Sequence, residues 1–322
     1  MPSLTRFCML VALAFIPALA GAQTAANYPS RPIRVIVPFG PGGPTDIFGR
    51  LYASHLERKY KQPAIVENKP GAGYIVATDF VIKAPADGYT LLTAANTLTY
   101  ESLLNKDTPF DSTKDILPYG VIGGSGLFIA VNAGLPVKTI QEFVAWVRAN
   151  PGKLNVGTVG VPTVEMEGLR DKLGLNWTNV NYKGGVAAQT ALMAGEINLY
   201  TPDFNQAAPA LKDGRIKVLA FGDRQRHPGM ADVPTVAESG IGAPDFLLYV
   251  WLGMFAASGV PNDIVNKLHA DVIELQGNPD VQSKINAMGW RTNPMGVEEL
   301  RKLQQSANEN VKSLLAKGVK LR

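Results

Sequence analysis

The sequence predicts an α/β protein of two domains, each with a sheet of parallel strands covered by helices on both faces. Short β-branched runs alternate with segments of helical period along most of the chain. The 322 residues exceed what one compact core usually organises, and a hydrophobic content of 46% is enough to pack two. Two apolar, extended stretches, 118–134 and 245–256, interrupt the alternation. We interpret them as two crossings between the domains.

The first hundred residues contain three predicted strands separated by helical stretches. From Ile47 the apolar residues fall on one helical stripe, and a second helical stretch follows "NKPGAG". "APADGYTLL" is a turn that runs into a strand. The predicted strands are 33–37, 63–67 and 89–93, with helices from 47 and over 75–83.

The middle of the chain repeats this alternation, and the last part is helical. Thr139 is a predicted N-cap with Glu142 three residues on, which is a capping box. Because the chain crosses twice, the first domain is built from both ends of the chain. Predicted strands are 154–158, 179–182, 197–200 and 216–221, and predicted helices are 139–149, 164–173, 186–194, 206–212, 262–275, 280–288 and 297–317.

Residues 1–22 have the features of a cleaved signal peptide. Arg6 supplies a positive charge, Cys8–Leu19 is apolar but too short to span a bilayer, and Ala20-Gly21-Ala22 fits the A-x-A cleavage rule. Cleavage before Gln23 would remove the single cysteine, which predicts an exported protein without disulfides. The alternative is an uncleaved membrane anchor.

The charge distribution argues against nucleic acid or an anionic membrane surface as a partner. The net charge is only +4, with 31 basic and 27 acidic residues dispersed along the chain. A basic patch or run would be needed for either partner, and the sequence has none.

Three glycine turns, 40–46, 156–165 and 181–188, follow predicted strands and precede predicted helices. In the first, Gly43 is a predicted N-cap, Pro44 the first helical residue and Asp46 the third, where its carboxylate can accept from a backbone N–H. In the second, Thr163 is a predicted N-cap. Helix starts at the carboxyl edge of a sheet favour anions. The amides of two domains could hold a carboxylate without a basic side chain; the alternative is that these glycines only form tight turns.

Other chemistries leave little trace in the sequence. There is no G-x-x-x-x-G-K-[ST] motif, and neither Gly71-Ala72-Gly73 nor the turn at 40–46 has the third glycine of a dinucleotide fingerprint. His55, His227 and His269 lack metal-ligand spacing, and no cysteine nucleophile or G-x-S-x-G motif is present. We therefore expect no metal and no catalytic residue.

Four side chains near the turns have open roles at this point. Lys183 could meet a ligand charge or point to solvent. Asp203 could accept hydrogen bonds from a ligand or from neighbouring amides. Phe39 and Tyr74 could form apolar walls.

Six segments occur here in the order of a known family: "YPSRPIRVIVPFGPGGPTDI", "VENKPGAG", "PADGYTLL", "NPGKLNVGT", "NYKGG" and "DVPTVAESG". They resemble the substrate-binding proteins of tripartite tricarboxylate transporters, also called Bug receptors. The resemblance implies the type 2 periplasmic binding protein fold, with two Rossmann-like lobes joined by two crossover strands and a cleft between them. It implies a first lobe of residues 23–125 plus 247–322 and a second lobe of residues 126–246.

The resemblance further implies a periplasmic receptor rather than an enzyme. It would bind a di- or tricarboxylic or aromatic acid as a monomer, without a cofactor, and deliver it to membrane permease subunits. The alternatives are a ligand sensor for a two-component system and a periplasmic enzyme acting on a carboxylate. The implied ligand-binding residues are Phe39, Gly40, Gly42, Gly43, Thr45, Asp46, Ala72, Gly73, Tyr74, Thr158, Val159, Gly160, Thr163, Lys183, Gly184, Gly185 and Asp203.

Two departures from the family pattern concern the ligand. Tyr74 stands where the family commonly has a second glycine after "GAG". The turn at 157–163 has Val159 and Pro162 in place of serine and glycine, which removes a hydroxyl and an amide donor. These departures lead to the hypothesis of a larger or less polar acid, aromatic or long-chain.

Overall fold

Ten strands form two five-stranded sheets in the residues that the computed structural model describes, which are 27–72, 74–159, 162–182, 184–292, 294–319 and 321. The predicted signal peptide lies outside these residues. The strands are β1 (Ile33–Val37), β2 (Ala64–Asn68), β3 (Thr90–Ala95), β4 (Ile116–Gly126), β5 (Phe128–Asn132), β6 (Asn155–Thr158), β7 (Thr178–Asn181), β8 (Leu199–Tyr200), β9 (Ile216–Phe221) and β10 (Tyr249–Ala257).

Helices pack on both faces of each sheet and enclose separate hydrophobic cores. A 3-10 turn, Asn96–Tyr100, follows β3. The helices are α1 (Pro44–Tyr60), α2 (Ile75–Lys83), α3 (Glu101–Leu104), α4 (Ile140–Ala149), α5 (Pro162–Leu173), α6 (Gly185–Ala194), α7 (Phe204–Lys212), α8 (Asn262–Gln276), α9 (Pro279–Ala287) and α10 (Val297–Ala316).

Each sheet is mixed. The first three strands, β1, β2 and β3, are parallel, as their alternation with helices predicted, and each sheet also contains one reversed strand. The first sheet has the order β2-β1-β3-β10-β4, and only β10 runs against the other strands. The second has the order β7-β6-β8-β5-β9, and only β5 is reversed. The reversed strands are the ones that arrive from the other sheet. They enter at the carboxyl edge of the parallel strands, so they must run antiparallel to them.

The two predicted crossings are confirmed, and they are hydrogen-bonded to each other. Leu127, between β4 and β5, donates its N–H to Leu248 O at 2.8 Å and accepts from Gly222 N at 2.9 Å. Leu248 N in turn donates to Gly222 O at 2.8 Å. These bonds hold the carboxyl edges of the two sheets next to each other.

Most predicted elements are present, with small differences in their bounds. One of the two hydrogen bonds of the predicted capping box of α4 is present, since the Thr139 side chain accepts from Glu142 N. The other differs, because the Glu142 side chain accepts from Lys138 N instead of Thr139 N. The predicted N-cap at Thr163 is wrong, because α5 already begins at Pro162 and Thr163 lies in its first turn. Proline is favoured at such a position because its missing N–H costs no helical bond.

Candidate functional site

The first glycine turn is held by Asp46, as its predicted position in α1 suggested. Gly43 is the N-cap and Pro44 the first helical residue. The buried Asp46 carboxylate accepts from Gly42 N at 3.0 Å and from Arg50 Nε at 2.9 Å. Burial acts to raise the pKa of Asp46, but the hydrogen bonds from Arg50, Gly42 and Asn68 outweigh it and lower the pKa to about 2. Asp46 therefore stays ionised and fixes the turn.

Asn68, which sequence reasoning missed, connects this turn to the end of β2 by hydrogen bonds. Its Nδ2 donates to Phe39 O at 2.8 Å and to Asp46 Oδ1 at 2.9 Å. The asparagine lies in the quoted "VENKPGAG" segment, so its place after a strand was the available signal. A Cβ built on Gly40, Gly42 or Gly43 meets no described atom within 4 Å, so this turn borders open space.

The segment 71–74, which follows β2, contains a strained backbone and an aromatic contact to the first turn. Gly71 has φ 145° and Ala72 has φ 45°, a region that alanine rarely adopts. The Tyr74 ring meets the Phe39 ring edge-on, with centroids 5.2 Å apart at 77°. The Tyr74 hydroxyl lies beside Thr97 and the Ala95 backbone, at the end of β3. The predicted wall residues are thus together; Gly73 lies outside the described residues.

The turn after β6 uses its polar groups within the second sheet. The Thr158 hydroxyl, 5% exposed, donates to Asn181 Oδ1 at the end of β7. Val159 is partly buried against the core around α6. Thr163 is buried and lines a cavity of about 420 Å³ together with Glu167, Asn179 and other residues. Gly160 lies outside the described residues.

The third turn begins α6 with Gly184 as N-cap, and no described side chain caps it. A Cβ on Gly184 meets no described atom within 4 Å, whereas one on Gly185 would lie 2.8 Å from Gln206 Nε2 and from the Tyr200 hydroxyl. Asp203 is the N-cap of α7 and accepts from Gln206 N at 2.9 Å. This bond is the one to a neighbouring amide that the sequence left open for Asp203. Lys183 lies outside the described residues.

A cavity of about 680 Å³ lies between the two sheets, and sequence reasoning did not identify its lining residues. Its lining from the first sheet's side includes Tyr100, Tyr249, Trp251 and Arg291, and Glu165 of α5 faces it from the second. Among the described residues, none of the predicted ligand residues lines it. The predicted turns and this cavity are neighbours, because the 3-10 turn at 96–100 lines the cavity and Thr97 lies beside Tyr74.

Glu165 is the electrostatic anomaly of the cavity. Its Oε2 is buried and has no hydrogen-bond partner among the described residues, and the same is true of the Tyr100 hydroxyl. Burial raises the pKa of Glu165 to about 8. Burial, with the nearby Glu165, also raises the pKa of Tyr100 well above its ordinary value.

A cluster of His55, Asp271 and Glu274 on the first sheet's outer helices has the ligand types of a metal site. The ligand atoms lie within 4.8 Å of one another. Lys59 Nζ, however, lies 2.7 Å from Asp271 Oδ1 and 2.5 Å from Glu274 Oε2, and the Tyr60 hydroxyl donates to Asp271 at 2.8 Å. The Lys59 ammonium group already bridges both carboxylates, so the cluster is an ion-pair network.

None of the helices in the described ranges combines the length and apolar character that a membrane crossing requires. This finding applies to α1–α10 and the short 3-10 turns.

Comparison with known proteins matches residues 48–318 to the family model of the tripartite tricarboxylate transporter family receptor. A UPF0065 protein of Bordetella pertussis is 33% identical over 315 residues, covering 94% of this chain and 95% of that protein. Protein BugT of Bordetella pertussis is 29% identical over 295 residues, covering 89% of each.

Three solved structures share the fold over about their whole length. A TctC solute binding protein from Polaromonas has a TM-score of 0.77 at 27% identity, covering 90% of this chain and 99% of that one. Rpa4515 of R. palustris with adipate has a TM-score of 0.70 at 26% identity, covering 90% and 97%. MatC of Rhodopseudomonas palustris with bound malate has a TM-score of 0.69 at 28% identity, covering 89% and 100%.

These neighbours confirm the two-lobe periplasmic binding protein fold, and the family is one of substrate-binding receptors rather than enzymes. The chain belongs to the tripartite tricarboxylate transporter receptor family and, with BugT among its relatives, to the Bug receptors.

Proposed function

We propose that this protein captures a carboxylate-bearing small molecule in the cleft between its lobes and delivers it to the permease subunits of a tripartite tricarboxylate transporter. The observation that carries the proposal is the pair of glycine-capped helix starts, α1 and α6, one in each lobe. Gly43 and Gly184 border open space, and no described side chain occupies either cap. Uncapped helix starts offer backbone N–H groups and a partial positive charge to an anion.

The topology and the relatives support the two-lobe arrangement of this site. We assign residues 23–125 and 247–322 to the first lobe and 126–246 to the second. The predicted ligand residues at 39–46, 72–74, 158–163, 183–185 and 203 would line the cleft. Rpa4515 with adipate and MatC with malate are relatives whose ligands carry two carboxylates, and this chemistry suits helix-start amides.

The proposed location is the periplasm, reached through the signal peptide at residues 1–22. The proposed state is a monomer that binds and releases its ligand unchanged. A sensor for a two-component system would have the same fold and would differ only in its partner. An enzyme is disfavoured because the family is one of receptors.

A thermal-shift screen tests the carboxylate. We expect adipate, malate, citrate or an aromatic acid to raise the melting temperature, because ligand at about 100 times its Kd adds about 2.7 kcal/mol of stability. A screen in which none of these acids changes the melting temperature would contradict the proposal.

The variant Gly43→Val tests the amide cradle. Gly43 has φ −79°, which valine adopts, and its Cβ would point into open space, so the fold should survive while the added methyl groups obstruct the ligand. We expect at least about a tenfold loss of affinity, or roughly 1.4 kcal/mol. The control is Gly277→Val at the exposed end of α8, where φ is −71°. Equal affinities of the two variants would argue against ligand binding at this turn.

A further inference from the structure

The cavity between the sheets combines an unneutralised carboxyl group with aromatic rings. Glu165 Oε2 and the Tyr100 hydroxyl are buried in the cavity wall without a partner among the described residues. Tyr100 is 1% exposed. Asn96, which also lines the cavity, has a third such atom, its Oδ1. Buried polar groups are nearly always satisfied, so several unpartnered groups at one cavity indicate a missing partner.

Aromatic side chains surround the same space. Tyr100, Tyr249 and Trp251 all line the cavity, and the Trp251 ring is fixed by stacking on Phe255 with centroids 5.7 Å apart at 11°. The faces of aromatic rings attract cations, most strongly for tryptophan. A carboxyl group among such rings adds a counter-charge.

The cations that line the cavity do not neutralise Glu165. Arg291 pairs with Asp223 at 3.3 Å. Arg224 and Lys302 are exposed side chains, and Glu165 makes no ion pair in the described part of the chain. The cavity therefore has positive charge towards solvent and an unpaired acid inside, which suits a ligand with charges of both signs.

We propose that this cavity binds the ammonium group of the ligand against Glu165 and the rings of Tyr100, Tyr249 and Trp251. The transported molecule is then an amino-carboxylate, with its carboxylate at the glycine turns. Tyr74 joins the two parts of the site, since its ring packs on Phe39 and its hydroxyl lies beside Thr97 of the cavity-lining turn. This inference rests on the proposed carboxylate receptor and narrows its substrate class.

Binding of an ammonium group would release a proton from Glu165. The empty site holds the carboxyl group protonated at neutral pH because burial disfavours its charged form. An entering ammonium ion favours the carboxylate instead, so one proton leaves Glu165 for the buffer. The other charged or titratable groups that face this cavity are Tyr100, Asp223, Arg224, Tyr249, Arg291, Glu299 and Lys302.

Matched pairs of acids test the inference by titration calorimetry on the full mature chain. The probes are β-alanine, 4-aminobutanoate and 6-aminohexanoate, each beside propanoate, butanoate or hexanoate of the same length. We expect at least one amino acid to bind at least about tenfold tighter than its unsubstituted acid. We also expect its heat at pH 7 to change with buffer ionisation enthalpy, which reports proton release.

Glu165→Gln and Glu299→Gln separate the buried acid from an exposed one at the same cavity. The preference for the amino form should vanish in Glu165→Gln and persist in Glu299→Gln. A preference that survives Glu165→Gln, or equal binding of both members of every pair, overturns the inference and leaves the carboxylate receptor standing.

The amine alone distinguishes the remaining outcomes. Binding of hexylamine with no binding of any acid would support the ammonium site and refute the carboxylate receptor. Tighter binding of benzoate than of every amino acid would show that the rings stack on an aromatic acid, and would overturn the inference. Absence of binding by every probe would count against both.

Discussion

At the scale of single residues, the polar side chains of the predicted turns form hydrogen bonds with other groups of the protein. Asp46 holds Gly42 and Arg50, Thr158 donates to Asn181, and Asp203 caps α7. Their hydrogen bonds fix the turns, so in the receptor that we propose the backbone amides of these turns would recognise the acid. Glu165 differs from all three because its buried oxygen has no described partner.

The substitution Glu165→Gln should stabilise the protein at high pH. Burial raises the pKa of Glu165 from its ordinary 4.5 to about 8 in the folded state. The folded state therefore holds a proton that the unfolded chain releases between these values, and stability falls as pH rises from 4.5 to 8. Glutamine has no such proton. The free energy of unfolding of the Glu165→Gln variant should therefore exceed that of the wild type by up to about 4 kcal/mol at pH 8.

Denaturant unfolding at several pH values checks this expectation. Below about pH 4.5 the two proteins should be equally stable, because both carry a neutral side chain there. Glu299→Gln, an exposed position at the same cavity, should follow the wild-type pH dependence. A wild type that keeps its full stability at pH 8 would show that Glu165 is already neutralised.

At the scale of elements, the helix starts that we assign to the proposed cleft differ in their caps. Gly43 and Gly184 leave α1 and α6 without a side-chain cap, while Asp203 occupies the start of α7 with its own carboxylate. An N-cap carboxylate takes the place that an external anion would need. We therefore expect α1 and α6, and not α7, to hold the ligand carboxylate.

Asp203→Asn tests this division of roles. Asparagine caps helices as well as aspartate, so stability should change by only a few tenths of a kcal/mol, whereas Asp203→Ala should cost about 1 kcal/mol. Carboxylate affinity should stay the same or rise in Asp203→Asn, since a negative charge beside the anion is removed. A clear loss of affinity would instead show that Asp203 accepts a hydrogen bond from the ligand.

Local signals in the sequence predicted the elements better than the cavity. Some sequence signals act only on neighbouring residues, so the strand or helix that they form could be predicted from the sequence alone. Examples are the β-branched run at β1, Pro44 after Gly43, and the pair Thr139 and Glu142. Tyr100, Glu165 and Trp251 meet only because the two sheets face each other. Nothing local marks them, and Glu165 resembles any acid in a first helical turn. The reversed direction of β5 and β10 likewise depends on the crossings between the sheets.

At the scale of the whole molecule, the crossing segments are packed too closely for an added side chain. A Cβ on Gly222 would lie 2.3 Å from Leu248 Cβ and 2.9 Å from Leu248 O, within the hydrogen-bonded junction of the two crossings. Gly222→Ala should therefore lower stability by about 1–3 kcal/mol, as overpacking does. It should also weaken ligand binding, because the facing edges shift. Chemical unfolding and calorimetry measure the two effects.

The matched control is Gly296→Ala, before α10, where φ is −67° and a Cβ meets no described atom within 4 Å. It should be as stable as the wild type. A Gly222→Ala variant that equals this control would mean that the crossings adapt without strain.

The position of β10 has a consequence for the order in which the two sheets fold. β10 lies between β3 and β4, and it pairs with both. A nascent chain that ends before Tyr249 therefore has its first three strands and β4 but lacks the strand that connects them. All five strands of the second sheet, from Phe128 to Phe221, are by then complete. The sheet that begins first along the chain should finish last, after a closure that spans more than a hundred residues and is correspondingly slow.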